Sequence, residues 1–499
     1  MAHLDAAGLG GVHFIDLHDI PHGQPVKRSI EDAIRESVVV AIWTDRFLDS
    51  PWCQFEVIEA RRQQRPMLVL DALVAQTPRL FPFLGNMPVL RWTDNCPAVV
   101  TAILLELLRS YHLWAVFDRL SLNEQHPPVF GLHPPDFLDN SLKERIPSST
   151  SIFVYPDPPI KPSELELLQE ILPKKRFLSL IEWRALRAAN AVQTVWDVST
   201  EPRPNPFRGK QIGISVSISD TWAELGLISN HQDDLTADIA LELILLGTKL
   251  IWGGDLRPDG FGIQLRRIVQ TYQHPSRPPQ AHVALFVPFT LDPKRTLNTE
   301  ALQARRLFAD VRTFKCPLNG PLRDSLTTEL DSPEGVALSA LALSIMRTEM
   351  AKQCHARVVL GGGLKKFAGI YPGIAEEAYE AVRLSSPLYI IGGFGGAAKA
   401  VFEAIMDSGS GNEVLLNACR TVGACAKQAA RVKHGQLIAE VKRPELEFDP
   451  EEMVSTFSNL GIDGLSKCNG LTAEDNQRLA TSQNVHEILE LLVKGLCVR

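Results

Sequence analysis

None of the eight cysteines, Cys53, Cys96, Cys316, Cys354, Cys419, Cys425, Cys468 and Cys497, stands in a C-x-x-C pair. The chain therefore writes neither a zinc knuckle nor a dithiol redox motif. Cysteines scattered over 499 residues fit a reducing cytoplasm. A basic stripe is also missing. The 51 Lys and Arg are outnumbered by 58 Asp and Glu, for a net charge of −7, which argues against a nucleic-acid footprint. The opening residues, MAHLDAAGLGG, lack the basic and apolar regions of a signal peptide. Uninterrupted apolar runs are absent too. The strongest, AVVTAILLELLRSYHLWAVF, contains Glu106 and Arg109 and reads as a buried helix rather than a membrane span. The expectation is a cytoplasmic protein with neither nucleic acid nor membrane as partner.

What is present describes a folded α/β protein. Hydrophobic residues make up 45% and charged residues 22%, as in ordinary globular chains. The length allows about two to four domains. Over residues 12–112, short apolar runs alternate with helical patterns. VHFID (12–16), SVVVAIW (37–43), PMLVLDAL (66–73) and MPVLRW (87–92) read as strands. VKRSIEDAIRE (26–36), the segment from Pro51 and PAVVTAILLELLRSY (97–111) read as helices. SVVVAIW does not alternate, so it is expected to be buried on both faces. Such alternation predicts a parallel sheet with crossover helices.

Residues 117–205 hold clustered prolines around one expected strand, TSIFVYP, and a helix, SELELLQEI, with a capping box from Ser163 to Glu166. A Pro-rich linker around a small α/β element and an extended tether both fit this stretch. From residue 206 the alternation resumes through KQIGISVSI (210–218), a strand ending in small residues. Three units of helix, apolar strand and Gly-Gly follow, with glycine turns WGGDLRPDGFG, LGGGLKK and IIGGFGGAAK. AHVALFVPF (281–289) is a further strand, and NVHEILELLVKGL (484–496) a packing or assembly helix.

Glycines at the C-terminal ends of parallel strands sit where open α/β sheets bind ligands. Lacking Cβ, they let backbone N–H groups approach a phosphate, and the next helix N-terminus adds positive potential. Here Gly253 and Gly254 lie near Arg257, and Gly361, Gly362 and Gly363 near Lys365 and Lys366. Gly392, Gly393, Gly395 and Gly396 form the third turn. Three turns with three cations suit a ligand with several phosphates; turn geometry alone is the competing explanation.

Residues 206–410 resemble the SLOG superfamily, the Rossmann-like fold of lysine-decarboxylase-like and cytokinin-activating proteins. They look most like the branch found behind sirtuin-type or TIR domains in Thoeris-type antiviral effectors. Catalytic members carry a PGGxGTxxE signature. The matching stretch, IGGFGGAAK, places Gly396 at the threonine and Lys399 at the glutamate. Without that carboxylate the resemblance implies a sensor of cyclic ADP-ribose-type nucleotides rather than a hydrolase. It implies Arg257, Lys365, Lys366 and Lys399 as anion contacts beside the glycines. Glu377 is a candidate for ribose hydroxyls, with capping or solvent exposure as alternatives.

The stretch DSPWCQFEVIEARR places Ser50 as a good N-cap, Pro51 at the first helical position, and Trp52 and Glu56 one turn apart. Dipole compensation fades before Glu56. An ion pair to Arg61 or Arg62 is plausible for Glu59, and spacing alone leaves Glu56 open. SVVVAIWTDRFLDSPWCQFEV, with FIDLHDIPHGQPVKRSIEDAIRES before it, resembles the TIR domain signature and its BB loop around Gly23 to Pro25. In NAD-consuming TIR enzymes the glutamate of this helix is catalytic. The resemblance implies that role for Glu56, with Trp52, Trp43 and Asp16 contacting NAD+ as substrate and no further cofactor. A complete TIR domain has a strand and helix before VHFID; only about eleven residues precede it here. The first strand is therefore expected to be missing, with a late start, completion by a neighbouring chain and lost activity as the alternatives.

The expected organisation is a flavodoxin-like TIR domain over 1–116, a linker over 117–205, and a Rossmann-like, doubly wound SLOG domain with a helical tail over 206–499. The expected function is a signal-gated NAD+ glycohydrolase of antiphage defence, assembling as a homo-oligomer or filament through TIR contacts. A non-enzymatic TIR adaptor is the alternative; Lys399 argues against hydrolysis by the SLOG-like part. His13, His18 and His22 read as loop or surface residues rather than a metal site.

Overall fold

A computed structural model describes residues 25–74, 87–92, 96–121, 128–135, 142–147, 150–191, 207–253, 261–272, 278–289, 299–318, 332–365, 367, 369–406, 409–420 and 425–498. The chain divides into two compact units, Met1–Trp183 and Arg184–Arg499. The expected strand at 12–16, Asp16, the three histidines and nearly all of the BB loop lie outside the described residues.

In the first unit, helix α1 (Val26–Arg35) buries Ile30 and Ile34, one turn apart, and pairs Lys27 with Glu31 and Arg35 with Asp32 on its outer side. Strands β1 (Val39–Trp43), β2 (Met67–Asp71) and β3 (Val89–Arg91) form a parallel sheet in the order β1-β2-β3. Helix α2 (Pro51–Arg62) crosses from β1 to β2 and buries Val57 and Ala60. Among the described strands of this sheet, β2 alone is buried from Met67 to Leu70. Burial of β1 on both faces does not hold: Ala41 is covered, whereas Ile42 is 53% exposed. An apolar run marks a strand without saying how many layers cover it.

The helix expected at 97–111 runs longer, as α3 (Cys96–Ser121). It is not the buried helix that its apolar sequence implied. Glu106 and Ser110 face inward, with Glu106 held by Arg109 through bonds of 2.6 and 2.8 Å. Leu105, Leu108 and Tyr111 face outward at 61%, 64% and 70% exposure. Only 22% of the most apolar window of Pro97–Asp118 is buried, and by length and composition that stretch is apolar enough to cross a membrane. Val100, Leu113 and Phe117 are buried near its ends, while in its middle Glu106 takes the inner side and pairs with half-buried Arg109, leaving Leu105, Leu108 and Tyr111 outside.

Beyond α3, β4 (Val129–Phe130), β5 (Ile152–Tyr155) and β6 (Arg176–Ser179) make a second parallel sheet in that order. Phe153, Tyr155, Phe177 and Leu168 of helix α4 (Pro162–Ile171) share one core. Gln64 Oε1 accepts from the Leu132 N–H at 2.8 Å, tying this sheet to the end of α2. The capping box at Ser163 does not form. Lys161 is the N-cap and Pro162 takes the first helical position. The preset φ of proline starts the helix early and draws Ser163 inside it.

The second unit is built on six parallel strands: β7 (Gln211–Ser217), β8 (Lys249–Gly253), β9 (Val283–Val287), β10 (Asp310–Thr313), β11 (Ala356–Gly361) and β12 (Leu388–Ile391). Their order is β10-β9-β8-β7-β11-β12, so the chain builds outward from β7 in one direction and then in the other. Helices α5 (Ser229–Leu245), α6 (Gly262–Tyr272), α7 (Pro333–Gln353), α8 (Gly373–Arg383) and α9 (Gly396–Ile405) lie among the crossovers or after the last strand. Both faces are covered, as alternation along β11 shows. Val358 and Leu360 join one core with Ile212, Ile239 and Leu492, while Val359 joins the other with Ile374, Ile390 and Val401. Helices α10 (Gly409–Arg420), α11 (Cys425–Val441), α12 (Pro450–Asn469), α13 (Ala473–Thr481) and α14 (Val485–Val498) complete the unit. Gly461, at φ 57°, breaks α12 in two.

Candidate functional site

The reversal of strand order falls between β7 and β11. Crevices at such a switch point, outside the C-terminal strand ends, are where doubly wound sheets take ligands. Of the three glycine turns, those after β11 and β12 meet directly: the Ala397 N–H donates to Gly362 O at 2.9 Å. Strand β8, which carries the remaining turn, lies on the far side of β7. Gly253 ends that strand, against Met346 and Met350 of α7. Gly254, Arg257 and Lys366 lie outside the described residues.

Between these turns stands a loop that the glycine pattern did not reveal. Ser219, Asp220 and Thr221 follow β7 and close over the two turns. Asp220 Oδ2 accepts from the Leu364 and Lys365 N–H groups at 2.6 Å each. Thr221 Oγ1 accepts from the Gly396 N–H at 3.1 Å, at the start of α9. Buried Gln232 of α5 fixes the base of the loop. Its Nε2 donates to Ser217 O at 2.6 Å, and its Oε1 accepts the Ser219 N–H at 3.4 Å. The small polar residues at the end of KQIGISVSI were the available signal.

Gly361, Gly362, Gly395 and Gly396 all have φ between 64° and 97°. Gly363 is buried beside them, and the Lys365 side chain is exposed. Gly392 and Gly393 have a different role. A Cβ on Gly392 would lie 2.7 Å from Ala480 O, and one on Gly393 would overlap Ser482 O. The chain's own C-terminal segment occupies that approach. Lys399, on the outer side of α9, pairs with Glu403 at 3.8 Å.

Glu377 is neither exposed nor turned toward the crevice. Its Oε2 accepts from Arg357 Nη1 at 2.7 Å and from Ser215 Oγ at 2.5 Å, and Oε1 lies 3.4 Å from Arg347 Nε. Arg347 also binds Glu376 at 2.6 Å, and Ser344 donates to the same carboxylate at 2.7 Å. Burial works against the charge of Arg347, but Glu376 and Glu377 outweigh it and raise its pKa. Arg357 is fully buried, in space left by Gly213, whose Cβ would lie 2.7 Å from Cys354 Sγ. Two arginines and two glutamates thus form a neutral interior cluster that joins the first turns of α8 to β7 and α7. This commitment takes Glu377 away from ribose hydroxyls.

A cavity of about 590 Å³ lies at the opposite edge, where β7, β11 and β12 begin. It is lined by Lys210, His355, Lys467 and apolar side chains. Lys210 donates to Leu496 O at 3.3 Å and Lys467 sits in the last turn of α12. Cations belong at helix C-termini, which accounts for both lysines locally, and the cavity is remote from the glycine turns.

In the first unit, Ser50 caps α2 by accepting from the Cys53 N–H at 3.3 Å, with Pro51 at the first position. The local ion pair uses Glu59. Its buried carboxylate binds Arg62 at 2.8 Å and Gln63 at 2.6 Å. Burial pushes its pKa up, but these partners and the Arg62 charge bring it below the ordinary range. Glu56 is half-buried. Trp52 is 43% exposed and stands edge-on to Phe55, with centroids 6.1 Å apart. Trp43 ends β1, and its carbonyl accepts the Ala72 N–H at 2.9 Å. Trp43 thus stands at the C-terminal end of β1, and α2, which carries Trp52 and Glu56, follows after a seven-residue connection.

Residues 206–479 match the family model described as SLOG cluster2, and residues 1–96 match that of the TIR domain. These are Rossmann-like and flavodoxin-like α/β folds, respectively. No curated protein matches the chain.

Proposed function

Because this chain belongs to the SLOG cluster2 family, matched over more than half of its length, and carries a TIR domain ahead of that match, we propose that it is a nucleotide-gated NAD+ glycohydrolase. The observation that supports the reading is Glu56 on α2, the helix that follows β1, in a chain that also holds a glycine-lined switch-point crevice.

The chemistry needs one carboxylate. The bond between the nicotinamide nitrogen and ribose C1′ breaks, and its electron pair leaves with the neutral nicotinamide. The ribose becomes oxocarbenium-like, and the Glu56 carboxylate stabilises it. Water adds to C1′ and releases a proton, giving ADP-ribose; attack by the adenine of the same molecule gives a cyclic product instead. Trp52 and Trp43 supply aromatic surface for the substrate, and no other cofactor takes part. In the second unit a cyclic ADP-ribose-type nucleotide occupies the crevice around Gly362, Gly363, Lys365 and Gly395. Its binding favours an assembled state of the chain in which the TIR domains act. The setting is antiphage defence in the cytoplasm.

The test is NAD+ consumption by the purified chain, with and without a panel of cyclic ADP-ribose isomers. Turnover should require one of them, and Glu56→Gln should lower it by at least about a hundredfold. Full turnover by the variant would end the enzymatic reading. A second reading, a non-enzymatic adaptor, draws on the outward apolar side of α3. It predicts assembly without turnover under every ligand.

A further inference from the structure

The crevice has backbone donors suited to an anion, and the chain's own side chains already hold them. Leu364 N–H and Lys365 N–H point at one carboxylate oxygen of Asp220, and Gly396 N–H points at the hydroxyl of Thr221. Adjacent N–H groups converging on a single oxygen after a glycine turn form the concavity that protein chains use for phosphate. A helix of ten residues starts at the third donor. Asp220 comes from 144 positions away in sequence, so its contact is not a local turn. Its side chain is exposed, so solvent and solutes reach the position it holds.

We infer that residues 219–221 act as an internal stand-in for the ligand: the Asp220 carboxylate occupies the place of one phosphoryl group, and a phosphate-bearing nucleotide binds by displacing it. This rests on the proposed nucleotide reading of the crevice and deepens it. A phosphoryl group offers more acceptor oxygens and more charge than a carboxylate, and Lys365 stands beside it to share that charge. Displacement costs the ligand the loop's contacts, so the observed affinity is lower than that of an already open cradle. Thr221 links the strand end of β7 to the start of α9 through Gly396, and its release uncouples the two. Occupancy of the crevice thereby changes the backbone on both sides of the switch point.

The probe is ADP-ribose, titrated calorimetrically into the full chain and into Asp220→Ala and Asp220→Asn, with thermal melts to confirm folding. Asp220→Ala frees both amides and should bind about tenfold more tightly than the wild type; Asp220→Asn keeps the shape, removes the charge and should fall between. Binding by Asp220→Ala alone also supports displacement. If the wild type binds and both folded variants bind equally or more weakly, Asp220 is scaffold or ligand contact and the displacement idea fails, while the nucleotide reading stands. If none of the three binds ADP-ribose or any of the cyclic ADP-ribose isomers, the nucleotide reading fails and this inference falls with it.

Discussion

Asp238 shows how one side chain sets a pH dependence. It lies on α5, and burial pushes its carboxyl up to about 6, although Arg184 pulls it back and Asp234 adds to the rise. The folded state therefore holds the proton more tightly than the unfolded state, whose carboxyl titrates near 3.8. The favourable contribution is complete below that value and is lost as pH rises toward 6. At neutral pH the charge is a net cost. Asp238→Asn should stabilise the second unit at pH 7 by on the order of 1–3 kcal/mol, and the gain should vanish by about pH 4. Urea denaturation at the two pH values measures this. A variant less stable at pH 7 would mean that Arg184 outweighs burial. Sequence could not have identified this residue, because Asp234 and Asp238 look alike until burial separates them. Glu377 teaches the same lesson in reverse: the sequence offered it to a ligand, and the fold commits it to Arg347 and Arg357.

Among the elements, the glycine turns were legible as turns but their neighbours were not. Gly253 ends an apolar strand and Gly393 follows one, yet a Cβ would meet different things. On Gly253 it would lie 3.4 Å from the flexible end of Met346; on Gly393 it would overlap the backbone of Ser482. Gly253→Ala should cost less than about 1 kcal/mol and Gly393→Ala about 2–4 kcal/mol. Melting temperatures of the two variants would test the contrast, and equal shifts would show that α13 yields easily. Most of the strands and helices assigned from residue 26 onward formed, but helices α10 to α13 were not assigned at all. Neither were short strands such as β4 and β6. Two to four residues among prolines and lysines carry little pattern, and pairing with β5 defines them. In α4 the proline and the serine competed as start signals, and the proline prevailed.

Taken whole, the chain has two compact units, each with its own cores. Calorimetry should resolve two unfolding transitions. ADP-ribose at about a hundred times its dissociation constant should stabilise only the second unit, by about 2.7 kcal/mol. A shift confined to the first transition would place nucleotide binding in the wrong half. The fusion of two α/β domains was legible because each carries a motif at a strand end. The outward apolar residues in the middle of α3 were not, because periodicity shows that a helix has two sides without saying which faces inward. The glycines between β12 and α9 carry a longer-range consequence. Gly392 and Gly393 answer to residues 480–482, whereas Gly395 answers to the loop after β7 and Gly396 to that loop and the turn after β11. A lineage that shed its last two helices would be free to vary the first pair while the second stayed fixed. Two constraints three positions apart would then drift independently, and a shared GG-x-GG spelling would no longer certify a shared ligand.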